Sequence, residues 1–169
     1  MKKREKIIMA VSGALTAAIC AVMNFVFIPR IESVTQGIRC FDMNFGYDYE
    51  TAQRFISLLT PEIKQFYLNY QLALDFFYPV AYCLFFVLVF RALTEKSLPF
   101  SLLAIALAAF DYGENICILL MLKSDSLSNT LVSVASAFTM IKTVLLYLVI
   151  LLIIILLIRR IINKKRGNV

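Results

Sequence analysis

Four apolar runs, at about residues 7–28, 70–89, 98–122 and 131–158, take up most of this 169-residue chain. A run of about 20 apolar residues matches the hydrocarbon thickness of a bilayer. Inside that layer the backbone has no water to bond, so each run must satisfy its own N–H and C=O groups as a helix. The runs predict an all-α polytopic membrane protein, a single four-transmembrane-helix bundle. Composition agrees: 61% of residues are hydrophobic and the mean hydropathy is +0.82, against roughly 45–50% apolar residues in a soluble domain. The fourth run exceeds what one span needs, which predicts tilt or projection beyond the membrane. The first run follows a basic start, MKKREK. It is longer than the roughly 7–15 apolar residues of a signal peptide, and Ile19 stands where lipoprotein cleavage before Cys20 needs a small residue, so an uncleaved span is predicted.

The net charge of +6 comes from basic residues that flank the runs. Lys2, Lys3, Arg4 and Lys6 precede the first run, Arg91 and Lys96 separate the second from the third, and Arg159, Arg160, Lys164, Lys165 and Arg166 close the fourth. The positive-inside rule then predicts a multi-pass protein of the cell membrane with both termini in the cytoplasm. These charges form no patch with interleaved aromatics, so nucleic acid is not an expected partner. The chain has no histidine, which argues against haem, His-ligated zinc and His-based acid–base catalysis, and no cofactor or metal is expected. Four cysteines are scattered without a C-x-x-C pair, unlike a thiol oxidoreductase. Cys40 alone lies outside the runs, which leaves an intermolecular disulfide open there.

Residues 29–69 form the one sizeable extramembrane segment, predicted as an extracytoplasmic helical cap between the first two spans. DYETAQRFISLL reads as a short helix with Asp48 as N-cap. Its residues Ala52, Phe55, Ile56 and Leu59 make one apolar stripe, suited to the membrane interface or to a lid across the bundle mouth. Thr60 and Pro61 begin a further helix that runs into the second span.

Polar residues inside the runs carry the functional signal. Asp111, Glu114 and Asn115 share one face of the third span at i, i+3, i+4. Asp75 precedes Tyr78, Pro79 and Tyr82 on the second; Ser136, Thr139 and Lys142 form a stripe on the fourth; Asn24 is on the first. A charged side chain at a helix centre costs roughly 2.5–3.5 kcal/mol, so such residues turn inward and find partners. Helix rise puts these groups at similar depth in the half of the membrane nearer the cap. Three acids face one lysine, so the cluster is expected to hold a proton or a bound cation, with Glu114–Lys142 as the leading ion pair. A purely structural polar layer is the competing reading. Small residues are expected at helix contacts: Gly13, Ala14, Ala17, Ala18 and Ala21 on the first span, Ala104 and Ala108 on the third.

The cap stretch FDMNFGYDYETAQRFISLLTPEIKQFYLNYQLALDFFYPVAY, together with DYGEN and ASAFTMIK, resembles a group of small four-span, mostly bacterial, membrane proteins. That group repeats D-x-x-E-N on the third span and T-x-x-K on the fourth, matching Asp111, Glu114, Asn115, Thr139 and Lys142. The resemblance covers most of the chain and implies a shared site without an activity. A looser similarity of layout, an acidic residue ahead of FFYP and a tyrosine, links the second span to the emopamil-binding group. It implies recognition of lipophilic, often cationic ligands by membrane carboxylates; the histidine of that group's isomerases has no counterpart here.

Three functions compete. The first is binding of a small lipophilic or cationic ligand, or of a proton, at Asp75, Asp111, Glu114, Asn115, Thr139, Lys142, Tyr78, Tyr82 and Asn24. The second is an intramembrane enzyme acting on a lipophilic substrate with Glu114 or Asp111 as acid or base. The third is a non-catalytic subunit. No nucleophile motif and no inverted repeat is present, so a transporter would have to be a homo-oligomer.

Overall fold

In a computed structural model, which describes residues 2–166, the chain is 85% helical, without strands among the described residues. Four helices are long and apolar enough to cross a membrane: α1 (Lys3–Glu32), α3 (Pro61–Leu93), α4 (Leu98–Lys123) and α5 (Asn129–Arg166). A fifth, α2 (Tyr49–Leu58), lies in the α1–α3 connection. At about 1.5 Å per residue, the 38 residues of α5 span roughly 57 Å and project past the bundle.

The cap helix forms as its sequence predicts. Asp48 accepts the Thr51 amide at 2.8 Å, and Thr60 caps Ile63 ahead of Pro61. Ala52 and Phe55 are fully buried, with the Phe55 ring tilted against Phe41 at 4.7 Å between centroids. The connection is shorter than residues 29–69, because α1 runs on to Glu32 and α3 begins at Pro61. Charges such as Arg30 and Glu62 end the apolar run without ending the helix. Both helices carry a π-turn near their cap ends, Met23–Phe27 in α1 and Tyr67–Gln71 in α3. The two meet through Phe27, Phe66 and Tyr70, and Arg30 sits over the Phe66 ring at 4.2 Å.

Helix α3 is the hub, packing against α1, α4 and α5, while α4 and α5 pair along their lengths. Ser12, Ile19 and Met23 carry the buried face of α1, and Gly13 lets the Phe85 ring approach closely. Ala14, Ala17, Ala18 and Ala21 point outward instead, because α1 has one long neighbour and its alanine stripe lies on the opposite face. Ala104 and Ala108 are buried as expected.

Two apolar cores enclose a polar layer. Toward the cap, Phe41, Phe55, Tyr67, Ile118 and Met121 cluster; toward the basic ends, Phe90, Ala104, Leu107 and Val149 do. Cys40 belongs to the first of these at 0% exposure, with its backbone amide bonded to Glu32 Oε1 at 2.8 Å. A disulfide to a second chain is therefore ruled out for this conformation: the thiol lies outside the spans yet is covered by the cap. Burial also pushes that thiol up, away from its reactive thiolate form.

Candidate functional site

The polar layer is organised by Pro79. Proline has no N–H, so the carbonyl of Asp75, four residues earlier, loses its intrahelical donor. Asn115 Nδ2 donates to that carbonyl at 3.0 Å, and one residue along, Tyr112 donates its hydroxyl to the Phe76 carbonyl at 2.8 Å. Helix α4 thus replaces the hydrogen bond that α3 gives up at Pro79 and adds a second beside it, fixing the depth of the two helices relative to each other. Asn115 is 0% exposed, and its Nδ2 is committed to holding the two helices together.

Lys142 is the hub of the charges. Its Nζ lies 3.2 Å from Asp111 Oδ1 and forms a second ion pair with Glu114 Oε2. Asp111 also accepts the Tyr82 hydroxyl at 2.8 Å, and Glu114 Oε1 accepts Thr139 Oγ1 at 2.6 Å. The sequence pointed to Glu114 as partner; the structure has Lys142 bridging both acids.

A cavity of about 380 Å³ opens beside this hub. Asp75, Asp111, Lys142, Tyr78, Tyr82 and Asn24 line it, whereas Glu114, Asn115 and Thr139 stand behind its wall. Asn24 is exposed and donates to the Cys20 carbonyl at 2.9 Å, so it belongs to the rim. At the cap end the lining is polar, with Asp42 and Asn44; its deeper end carries Phe86, Leu107 and Leu146.

Asp42 is the residue that sequence reasoning missed. It sits on a short turn, Phe41–Met43, brought over the cavity by the following loop. Gly46 lies so close to α5 that a Cβ would come 3.2 Å from Met140, and the Tyr47 amide donates to Ser136 Oγ at 2.9 Å. Burial pushes the Asp42 carboxyl above the usual aspartate range, against the pull of the Lys142 ammonium. The available signal was Asp42's place between Phe41 and Met43, two apolar residues that draw it inward. Neither Asp42 nor Asp75 has an ion-pair partner among the described residues.

No family profile, curated protein or solved structure matches the chain.

Proposed function

We propose that this is a cell-membrane protein, cytoplasmic at both ends, that binds a small lipophilic molecule carrying positive charge. The basic flanks support that orientation, which puts the cap outside and the cavity in the outer half of the bilayer. One observation carries the ligand class: Asp42 and Asp75 border the cavity without a basic partner, while the single lysine is engaged by Asp111 and Glu114. An ammonium group between Asp42 and Asp75 offsets part of the charge that Lys142 leaves over. Low-dielectric walls make that attraction stronger than it is in water. The volume fits a small ligand, and the polar end near the cap with an apolar end toward mid-membrane suits a charged head on a greasy body. Tyr78 and Tyr82, ring centroids 5.1 Å apart, add an aromatic wall for the cation. Among the described residues no three acidic or cysteine side chains converge in metal-ligand geometry, so an organic cation suits the arrangement better than a metal ion.

The motifs shared with small four-span proteins, and the layout shared with the emopamil-binding group, are consistent with this reading. A structural role accounts for Asn115, which bonds the carbonyl freed by Pro79, and for Tyr112 beside it; it gives no reason for Asp75.

The test is binding of a radiolabelled lipophilic tertiary amine to protein in nanodiscs, with a carbon isostere of the amine as competitor. Saturable binding that the neutral isostere does not displace, and that Asp75→Asn weakens at least about tenfold, is expected. Equal competition by the isostere would refute charge recognition.

A further inference from the structure

A second polar cluster lies outside the cavity. Tyr47, Tyr67, Gln71 and Asn115 do not line it, yet each keeps a buried polar atom without a hydrogen-bond partner among the described residues. These atoms are the two hydroxyls, both ends of the Gln71 amide, and Asn115 Oδ1. Tyr67 and Gln71 are 1% exposed and Asn115 is 0% exposed.

Three separate segments supply them: the cap loop, the π-turn of α3, and α4. Both tyrosines are within electrostatic reach of Glu114 and Asp42. Gln71 stands one turn before Asp75, whose carbonyl holds the Asn115 amide, and Asn115 follows Glu114 in the chain. The π-turn shifts the register of α3 by about one residue, and its buried residues are Tyr67 and Gln71. Buried polar groups are costly unless hydrogen-bonded, so these unpartnered atoms call for a guest. The set mixes donors and acceptors: Gln71 Nε2 only donates, the amide oxygens only accept, and the hydroxyls do both. A bare cation leaves the Gln71 N–H groups unmet, and an apolar guest meets none. Water, with two donors and two acceptors, satisfies all of them.

We propose that Tyr47, Tyr67, Gln71 and Asn115 form an internal water-holding site that relays protons between the cap-side solvent and Glu114. Asp42 joins the two compartments, since it lines the cavity while its Oδ1 is buried without a partner. A proton entering at Asp42 passes along water and tyrosine O–H groups, each bond breaking as the next forms. It ends on Glu114; one proton moves inward and no electrons are transferred. The groups facing Glu114 are Lys142 from α5, Asp75 and Tyr67 from α3, and Tyr47 and Asp42 from the cap. Asp111 and Cys117 flank it on α4. Protonated Glu114 loses its charge attraction for Lys142, whose remaining ion pair is with Asp111. The relay therefore sets how tightly the cavity's one lysine is held.

The experiment is a pH jump on nanodisc-embedded protein followed by infrared spectroscopy of the Glu114 carboxyl, identified by its loss in Glu114→Gln. Tyr67→Phe and Gln71→Met, both nearly isosteric, are expected to slow its protonation about tenfold. Tyr70→Phe, on the exposed side of α3 and away from the cavity lining, leaves the rate unchanged. Unchanged rates in the first two variants, slowing in Tyr70→Phe, or no titrating Glu114 band overturns the relay. Wild-type protein supplies a check independent of any variant's folding. X-ray hydroxyl-radical footprinting should label Tyr67 while Phe90, buried in the other apolar core, stays unlabelled. An unlabelled Tyr67 overturns the water site.

Discussion

Replacing Lys142 by methionine tests whether the polar layer is held by its one cation. Lys142 is 15% exposed at its side chain, and its partners Asp111 and Glu114 are 4% and 0% exposed. Methionine keeps the stem's packing and removes the ammonium, so two buried carboxylates lose their counter-charge together. Breaking a buried ion pair from one side costs about 3–5 kcal/mol, because an uncompensated charge remains. Two features pull the expectation to the lower end: Asp111 keeps the Tyr82 hydroxyl at 2.8 Å and Glu114 keeps Thr139 at 2.6 Å. The expected loss is about 3 kcal/mol. The assay is equilibrium unfolding of the purified protein in mixed micelles, followed by far-ultraviolet circular dichroism because the chain has no tryptophan. Glu114→Gln alone should cost less, since Lys142 keeps Asp111. Combining Lys142→Met with Glu114→Gln and Asp111→Asn should recover most of the loss, as the excess charge goes with the lysine. A change within about 0.5 kcal/mol for Lys142→Met, the range of an uninvolved surface site, would refute the argument, as would a triple variant no better than the single one.

Three further outcomes follow from the geometry. Asp42 binds its proton more tightly folded than unfolded, so it destabilises the fold as pH rises from its unfolded value through its raised folded one. Asp42→Asn should therefore gain stability over wild type at neutral pH, with the gain vanishing in acid, as read by melting across pH. Asn115→Leu should cost about 1–3 kcal/mol by stranding the Asp75 carbonyl, and Pro79→Ala should remove most of that cost by restoring an intrahelical donor. A double-variant cycle without coupling would contradict the assigned bond. Cys40, buried and with its thiol pushed up, should resist maleimide until the protein is denatured; prompt labelling from the cap side would show an open cap.

The sequence made the helices and the cap legible because those signals are local. Apolar length defines a span, and Asp48, Thr60 and Pro61 act within one turn of their own position. Helix ends were harder to read: Arg30 and Glu62 interrupt hydropathy while the backbone continues. Asp42 was out of reach for a different reason. It lies in a stretch without periodicity, and only the docking of Gly46 and Ser136, 90 positions apart, carries it over the cavity. Asn115 was visible as a polar residue, but its task depends on facing Pro79 across a helix interface. A proline inside a span, with an amide-bearing residue at matching depth on the next, was the clue. The alanine stripe of α1 misled because small residues mark a possible contact face without naming which neighbour is present.

The position of Lys142 also bears on how the molecule is made. Asp42, Asp75, Asp111 and Glu114 all precede it in the chain, so a ribosome delivers every acid of the layer before the base that pairs with two of them. Until α5 emerges, α3 and α4 have no cation to hold their carboxylates, whatever else has been inserted. The charge pairing of the layer is then completed only by the last helix, and a chain stopped short of it carries its acids unanswered.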